Sequence, residues 1–464
     1  MIKFYNTLTR SKEEFKPREE GKAGIYSCGP TVYSSPHIGN MYAYIAWDIL
    51  VRTLKYVGYE VNQVMNITDV GHLTSDADEG EDKMEKGSKR EGVSVWEIAK
   101  KYESEFMESL EMLNIVKPLV FCRATDHIKD QIELIERLEK NGFTYQISDG
   151  IYFDTAKFPG YCDFARLNPD KIKEGARVEE NREKRGPCDF ALWKFSPCVN
   201  SGQARRQMEW ESPWGVGFPG WHIECTAMST KYLGETFDIH TGGEDHIPIH
   251  HTNEIAQGCG AFGHQTANYW IHNAFITIGQ GKMSKSVGEV YTIRALKEKG
   301  FDPMVYRYLA INSHYRKGMT FSLDGMATAE LSYRKLLSMV LRWKQNGTPG
   351  GKVSKDFKQQ FVEAIENDLA MPEAMAVVWK LAKSDLADGD KLATILDFDK
   401  VLGLKLDRES IEEKVPEAVV VMAKNRQRCK EEKKWAEADT IRNEIRELGY
   451  IVEDTKEGYI IRKI

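Results

Sequence analysis

Cysteine is scarce and follows no pattern. The eight residues, at positions 28, 122, 162, 188, 198, 225, 259 and 429, form no CxxC pair and no framework spacing, so a disulfide-stapled scaffold is excluded and reduced thiols or metal ligands are expected. Proline is equally sparse, at 15 of 464 residues, and with 41% hydrophobic and 29% charged residues neither a fibre nor a disordered chain fits. No apolar run approaches the length that crosses a bilayer, and residues 1–10 lack the apolar stretch and small-residue cleavage site of a secretory leader. A cytoplasmic protein without membrane contact is expected. Nor is there an excess of positive charge. With 64 Lys and Arg against 70 Asp and Glu the formal net charge is -6, which excludes wholesale coating of nucleic acid and permits only a regional basic face.

The chain is long enough for two to four domains, each burying its own core. Residues 24–67 read as strand, turn, helix and strand: a short β-type run ends at Cys28, Gly29-Pro30 breaks it, and Ile45, Ile49 and Leu54 then recur at helical spacing. A second set follows at 221–278. Both halves fit an α/β fold with a doubly wound, parallel Rossmann-type sheet, occupying 20–117 and 218–281. Residues 118–217, richer in turns and charge, are expected as an insertion, and the dense charge run at 76–90 as a solvated loop. Beyond 286 the apolar spacing becomes helical, giving a loop and connecting region at 282–330 and a helical bundle at 331–404. Residues 416–464 are expected as a small α+β domain, a helix pair and then a hairpin.

Two segments suit phosphate chemistry. Pro36-His37-Ile38-Gly39-Asn40 lies where the first strand's turn meets a helix, so Gly39 permits close approach and the exposed amides offer an anion site. Lys282-Met283-Ser284-Lys285-Ser286 follows a Gly279-Gln280-Gly281 hinge and places two ammonium groups where negative charge would grow during a reaction. Soft-metal ligands are present too. Cys28 ends the first strand, Cys225 lies on an expected helix, and His250 and Glu254 are four apart on one helical face. Two thiolates, an imidazole and a carboxylate make a Zn²⁺ set, with His222, His240 and His251 as competing ligands.

His-Ile-Gly-Asn (37–40) and Lys-Met-Ser-Lys-Ser (282–286) resemble the paired signatures of class I aminoacyl-tRNA synthetases. More narrowly, Cys-Gly-Pro-Thr-Val-Tyr (28–33), Asn-Ile-Thr-Asp (66–69), Asp-Phe-Ala-Leu-Trp-Lys (189–194), Gly-Trp-His-Ile-Glu-Cys (220–225) and His-His-Thr-Asn-Glu (250–254) resemble the cysteinyl-tRNA synthetases along nearly the whole chain. The resemblance implies ATP-dependent activation of L-cysteine to the adenylate, then transfer to the 3′ end of tRNA(Cys). His37, Gly39 and Asn40 would hold ATP, supplied with Mg²⁺, and Lys282 and Lys285 would stabilise the transition state. One Zn²⁺ per chain would be held by Cys28, Cys225, His250 and Glu254 and would take the substrate thiolate. Gly29, Thr68 and Trp221 are expected near the amino group and backbone of the substrate, and His240 near its carboxylate. The C-terminal domain would bind the anticodon, with Lys430, Trp435, Asp439 and Asp454 as candidate base readers, and the 118–217 insertion would approach the acceptor end. A monomer is expected. Asn40 stands where the first signature usually has His, and an amide donates without becoming cationic. Two other readings remain open at this point: a zinc-dependent ligase joining cysteine to an amino-sugar, and a catalytically silent tRNA-binding paralogue.

Overall fold

Strands Lys22–Ser27 and Glu60–Ile67 lie side by side in parallel, in a computed structural model that describes residues 1–71, 82–166, 182–196, 206–278, 281–282, 291–347, 350–410, 416–432, 434–455 and 458–463. They form the middle of a five-stranded parallel sheet ordered Ala267–Asn273, Phe237–Gly243, Lys22–Ser27, Glu60–Ile67, Val120–Arg123. Helices cover both faces, so Ile25, Tyr26, Val64 and Ile239 are fully buried. The doubly wound sheet expected from the sequence is present, and chain order reverses between Lys22–Ser27 and Phe237–Gly243.

Two expectations require correction. The strand Val120–Arg123, which the 118–217 insertion was expected to contain, is an edge strand of the parallel sheet, paired Val64 to Val120 and Ile67 to Arg123. Four residues are too few to reveal a period, so sequence pattern does not separate this strand from the turn-rich stretch beyond it. The antiparallel sheet begins only at Thr144–Ile147 and continues through Gly150–Phe153, Phe190–Phe195 and Gly217–Pro219. The charge run expected as a solvated loop is in part a helix, Lys83–Glu91. Asp82 caps it by accepting from the Met84 and Glu85 amides and pairs with the partly buried Arg206, whose guanidinium lies over Phe218. Tertiary pairing rather than local propensity thus orders a polar segment. Residues 76–81 of that run lie outside the described residues.

The helix Ile38–Tyr56 is buried on most of its circumference, and its Asp48 anchors it. Asp48 pairs with Arg52 at 2.7 Å and with Arg307, which is fully buried on the helix Pro303–Ile311. Arg307 also donates to Leu402 O at 2.8 Å and to Leu113 O at 3.1 Å. A buried guanidinium is tolerated only when so fully matched, and this one ties the first signature's helix to Pro303–Ile311 and to the helix Asp388–Leu402. Leu323–Asn346, Lys355–Glu366 and Met371–Ala382 complete the helical region.

Contacts divide the chain into units Met1–Asp407 and Arg408–Ile464. The second unit has helices Glu417–Glu431 and Trp435–Glu447 and an antiparallel hairpin, Tyr450–Thr455 with Gly458–Lys463, around a small core of Val419, Ala423, Ile445 and Val452. No helix among the described residues is long and apolar enough to cross a membrane.

Candidate active site

Beyond the carboxyl ends of the two strands where chain order reverses, a cleft of about 320 Å³ opens. It is lined by Cys28 and Gly29 at one strand end, Thr68 at the next, His37, Gly39 and Asn40 at the start of the Ile38–Tyr56 helix, and Trp221, Cys225 and His250 opposite. Segments more than 200 residues apart in sequence therefore share one cavity because the sheet places their strand ends together.

The four soft-ligand candidates converge. One ligand atom from each of Cys28, Cys225, His250 and Glu254 lies within 4.8 Å of all the others, and all four residues are buried. His250 and Glu254 sit one turn apart on the helix His250–Phe262, His250 Nε2 standing 3.1 Å from Glu254 Oε1. Burial pushes the Cys28 thiol up, and Cys225 is raised well above its ordinary value by its hydrogen bond to Cys28 and by burial. Burial opposes a charge on His250, but the Glu254 carboxylate and Cys225 prevail and push it up to about 10. Burial would likewise raise Glu254, but the imidazoles of His240 and His250 hold it well below the carboxylate range. A divalent cation held here would take the place of protons on the two thiols and the imidazole. The residues fit such an ion: the buried Glu254 Oε1 faces His250 Nε2, itself a candidate ligand, at 3.1 Å, and the S, S, N, O donor set suits zinc.

Other groupings converge too, Cys28 with His246, His250 and His251, and Cys28 with His240, His251 and Glu254. The competing histidines make further contacts, and His251 also brings its Nε2 to 3.3 Å from Cys28 Sγ. His240 Nε2 meets Glu254 Oε2 at 2.8 Å, His251 Nδ1 meets His272 Nε2 at 2.7 Å, and His222 Nδ1 meets His250 Nδ1 at 2.8 Å. Contacts of this kind would orient the ligands of a bound metal. His240 itself is fully buried, stacked on Trp270 at 4.5 Å and in contact with Glu254 rather than among the residues that line the cleft.

Beside this cluster, Gly29 packs so closely on the neighbouring strand that a Cβ would lie 1.6 Å from Asn66 O. Its amide donates to Asn66 Oδ1 at 2.7 Å, Asn66 Nδ2 donates to Thr68 Oγ1 at 3.0 Å, and Thr68 Oγ1 donates to Glu224 Oε2 at 2.8 Å. Sequence reasoning missed Asn66 and Glu224 as site residues. The available signal was the period of two that puts 66 and 68 on one side of a strand end, and the place of Glu224 directly before Cys225.

On the phosphate side, His37 caps the Ile38–Tyr56 helix in a reciprocal box: its Nδ1 accepts from Asn40 N at 3.2 Å, and Asn40 Oδ1 accepts from His37 N at 3.1 Å. Asn40 is thus suited to the cap through its carbonyl. Lys83, which was not singled out, lines the cleft with Nζ 4.9 Å from the Trp221 ring centroid. Lys282 pairs its backbone with Thr277 in a short sheet with Ile276–Ile278 and Met319–Phe321, and Lys285 lies outside the described residues.

With this geometry in place, comparison with known proteins gives two family matches. Residues 14–331 match the model of the class I (C) tRNA synthetase catalytic domain, and residues 413–462 match the cysteinyl-tRNA ligase anticodon binding domain. The cysteine–tRNA ligase 1 of Burkholderia lata is 48% identical, over 98% of this chain and 96% of the relative. The chain belongs to the cysteinyl-tRNA ligase family. A member from Treponema denticola is 44% identical over 98% of both chains. In fold alone, the chain resembles a Mycobacterium tuberculosis methionyl-tRNA synthetase solved with methionyl-adenylate, with a TM-score of 0.54 at 17% identity over 82% of this chain and 90% of that one.

Within the part that matches the family's anticodon module, the four candidate readers differ. Trp435 is 60% exposed at the start of its helix, and Asp439 is exposed with Arg442 at 3.4 Å. Lys430 and Asp454 are paired with each other at 2.8 Å, and Arg426 grips the same carboxylate through both guanidinium nitrogens, at 2.8 and 3.1 Å. The hydrogen bonds from Arg426 and Lys430 hold the Asp454 carboxyl well below its usual range.

Proposed function

We propose that this chain activates L-cysteine with ATP and transfers the cysteinyl group to the 3′ end of tRNA(Cys). The observation that carries this reading is that the cluster of Cys28, Cys225 and His250 opens into the same cleft as the capped helix start at His37 and Asn40. An amino acid held by sulfur at one end of that cleft has its carboxylate free to meet a triphosphate at the other.

In this reading the helix-start amides beside Gly39 take the phosphates of Mg²⁺-ATP, with His37 and Asn40 fixing the turn that presents them. Cys28, Cys225, His250 and Glu254 hold one Zn²⁺, whose chemistry when bound is that of a soft Lewis acid that favours a thiolate over a serine hydroxyl. Gly29, Thr68 and Trp221 position the amino group and backbone of the amino acid. Its carboxylate attacks the α-phosphate, pyrophosphate leaves, and Lys282 and Lys285 offset the charge that grows on the departing phosphates. No general base is needed, since the nucleophile is already ionised, and catalysis is mainly positioning. The terminal ribose hydroxyl of tRNA then attacks the adenylate carbonyl, while the C-terminal unit reads the anticodon through Trp435 and Asp439, joined by Lys430 and Asp454 if their ion pair opens. A monomer in the cytoplasm is part of the same reading. The matched anticodon-binding module speaks against an amino-sugar ligase, which has no anticodon to read.

The test is exchange of labelled pyrophosphate into ATP by zinc-loaded protein, followed by charging of tRNA. Exchange that depends on cysteine and not on serine, together with cysteinyl-tRNA formation, is expected. Absence of cysteine-dependent exchange would refute the reading.

A further inference from the structure

Three hydrogen bonds, two of them buried, fix the polarity of the hydroxyl of Thr68, a residue that lines the cleft. A backbone amide can only donate, so the Gly29 N–H bond of 2.7 Å makes Asn66 Oδ1 the acceptor and turns the Asn66 NH₂ toward Thr68. Thr68 Oγ1 accepts there at 3.0 Å and gives its own proton to Glu224 Oε2 at 2.8 Å. What remains on that oxygen is one lone pair and no hydrogen. Thr68 lines the cleft together with Cys28, Cys225 and Trp221, and Glu224 lies behind it with no solvent exposure. Glu224 belongs to none of the converging metal-ligand sets, although it adjoins Cys225 in sequence.

We propose that Glu224 is a positioning residue that holds Thr68 as an obligate acceptor, so that the cleft selects a thiol bearing a protonated α-amino group over the corresponding thiol acid. The inference rests on the cysteine reading above, since a sulfur anchored at the Cys28 and Cys225 centre brings the ammonium of the same molecule toward Thr68. An ammonium has donors only. A hydroxyl free to rotate would meet it with a proton as readily as with a lone pair; the carboxylate removes that choice and adds a negative charge one hydrogen bond behind the acceptor. An amide in place of the carboxylate can donate to Thr68 Oγ1 and turn the hydroxyl proton into the cleft.

The experiment uses full-length, zinc-loaded protein and two fragments of cysteine: cysteamine, which keeps thiol and ammonium, and 3-mercaptopropionate, which keeps thiol and carboxylate. Binding of each is followed by tryptophan fluorescence, Trp221 being in the cleft. Glu224→Gln is expected to weaken cysteamine by at least about tenfold and to leave 3-mercaptopropionate within about twofold, with zinc content unchanged. In pyrophosphate exchange the KM for cysteine should rise by the same factor as the cysteamine Kd while the KM for ATP stays constant. Equal weakening of both fragments, or of neither, would overturn the proposal. Should Glu224→Gln fail to fold, Thr68→Val must give the same split between the two fragments, and its absence would overturn the proposal equally. Failure of the unaltered protein to bind either thiol would overturn the cysteine reading, and this inference with it.

Discussion

The cleft and the C-terminal unit both join acids to bases, but in different surroundings. His250 and Glu254 are 3% and 1% exposed, where an unmatched charge costs several kcal/mol or more, so every partner is dictated. In the C-terminal unit Asp454 keeps 44% of its side chain exposed while paired with Arg426 and Lys430, and pairs of that kind contribute little and exchange readily. The first arrangement is a fixed chemical device. The second is a solvent-exposed pairing in the part of the chain that matches an anticodon binding domain, and Trp435 of the same unit is exposed too.

If this contrast holds, damage in the cleft abolishes activation, whereas damage in the C-terminal unit spares it. The largest effect is expected from Cys225→Ser, which should lower zinc occupancy and cut cysteine-dependent exchange by on the order of a hundredfold or more; full metal content in the variant would remove Cys225 from the ligand set. His222→Phe deletes the ring nitrogen facing His250 Nδ1 at 2.8 Å and should weaken zinc binding by roughly tenfold to a hundredfold in chelator competition. Unchanged affinity would contradict its orienting role. Trp435→Ala should raise the KM for tRNA by about tenfold, the value of one base-stacking contact, and leave exchange untouched. An equal loss in both assays would erase the distinction between the two regions.

The smallest effect is one of pH and has opposite signs at the buried Asp69, next to Thr68 of the cleft in sequence, and at Asp454 of the C-terminal unit. Burial pushes the Asp69 carboxyl up to about 6, against the opposing hydrogen bonds from Thr125. A carboxyl raised on folding contributes stability that is complete below its unfolded value of about 3.9 and is lost as pH rises through about 6. Asp69→Asn should therefore remove a decline in stability between about pH 4 and 6, on the order of 2 kcal/mol, visible in melting temperatures measured across that range. Asp454 is depressed by Arg426 and Lys430, so its contribution is present above about pH 3.9 and disappears only on further acidification. Arg426→Ala should therefore lower stability above about pH 3.9 and change the slope of the stability curve only on the acid limb. Identical slopes between pH 4 and 6 for the unaltered protein and Asp69→Asn would contradict the first half of this contrast.

What the sequence reveals follows the same division. Cys28 at a strand end and His250 and Glu254 one turn apart are legible because local geometry fixes where such side chains point. Which of five further histidines ligate and which only orient is not legible, because His222, His240, His246, His251 and His272 come from different segments and meet only after folding. The hydrogen-bonded row from Gly29 to Glu224 joins residues as far as 156 apart in sequence, which no spacing rule reaches. The edge strand Val120–Arg123 and the helix Lys83–Glu91 were hidden differently, one by its shortness and the other by a polar composition that a salt bridge from Arg206 offsets. In the C-terminal unit the helix pair and hairpin are plain from pattern. The pairing of Lys430 with Asp454 is not, since six charges on one helical stretch have many possible partners.

The most direct test is to load the full-length protein with Co²⁺ in place of zinc and record the sulfur-to-metal charge-transfer band before and after adding amino acid. One cobalt per chain, a band already present from Cys28 and Cys225, and a further rise with cysteine but not with serine are predicted. A spectrum without thiolate character, or the same response to serine as to cysteine, would contradict selection of the substrate by its sulfur.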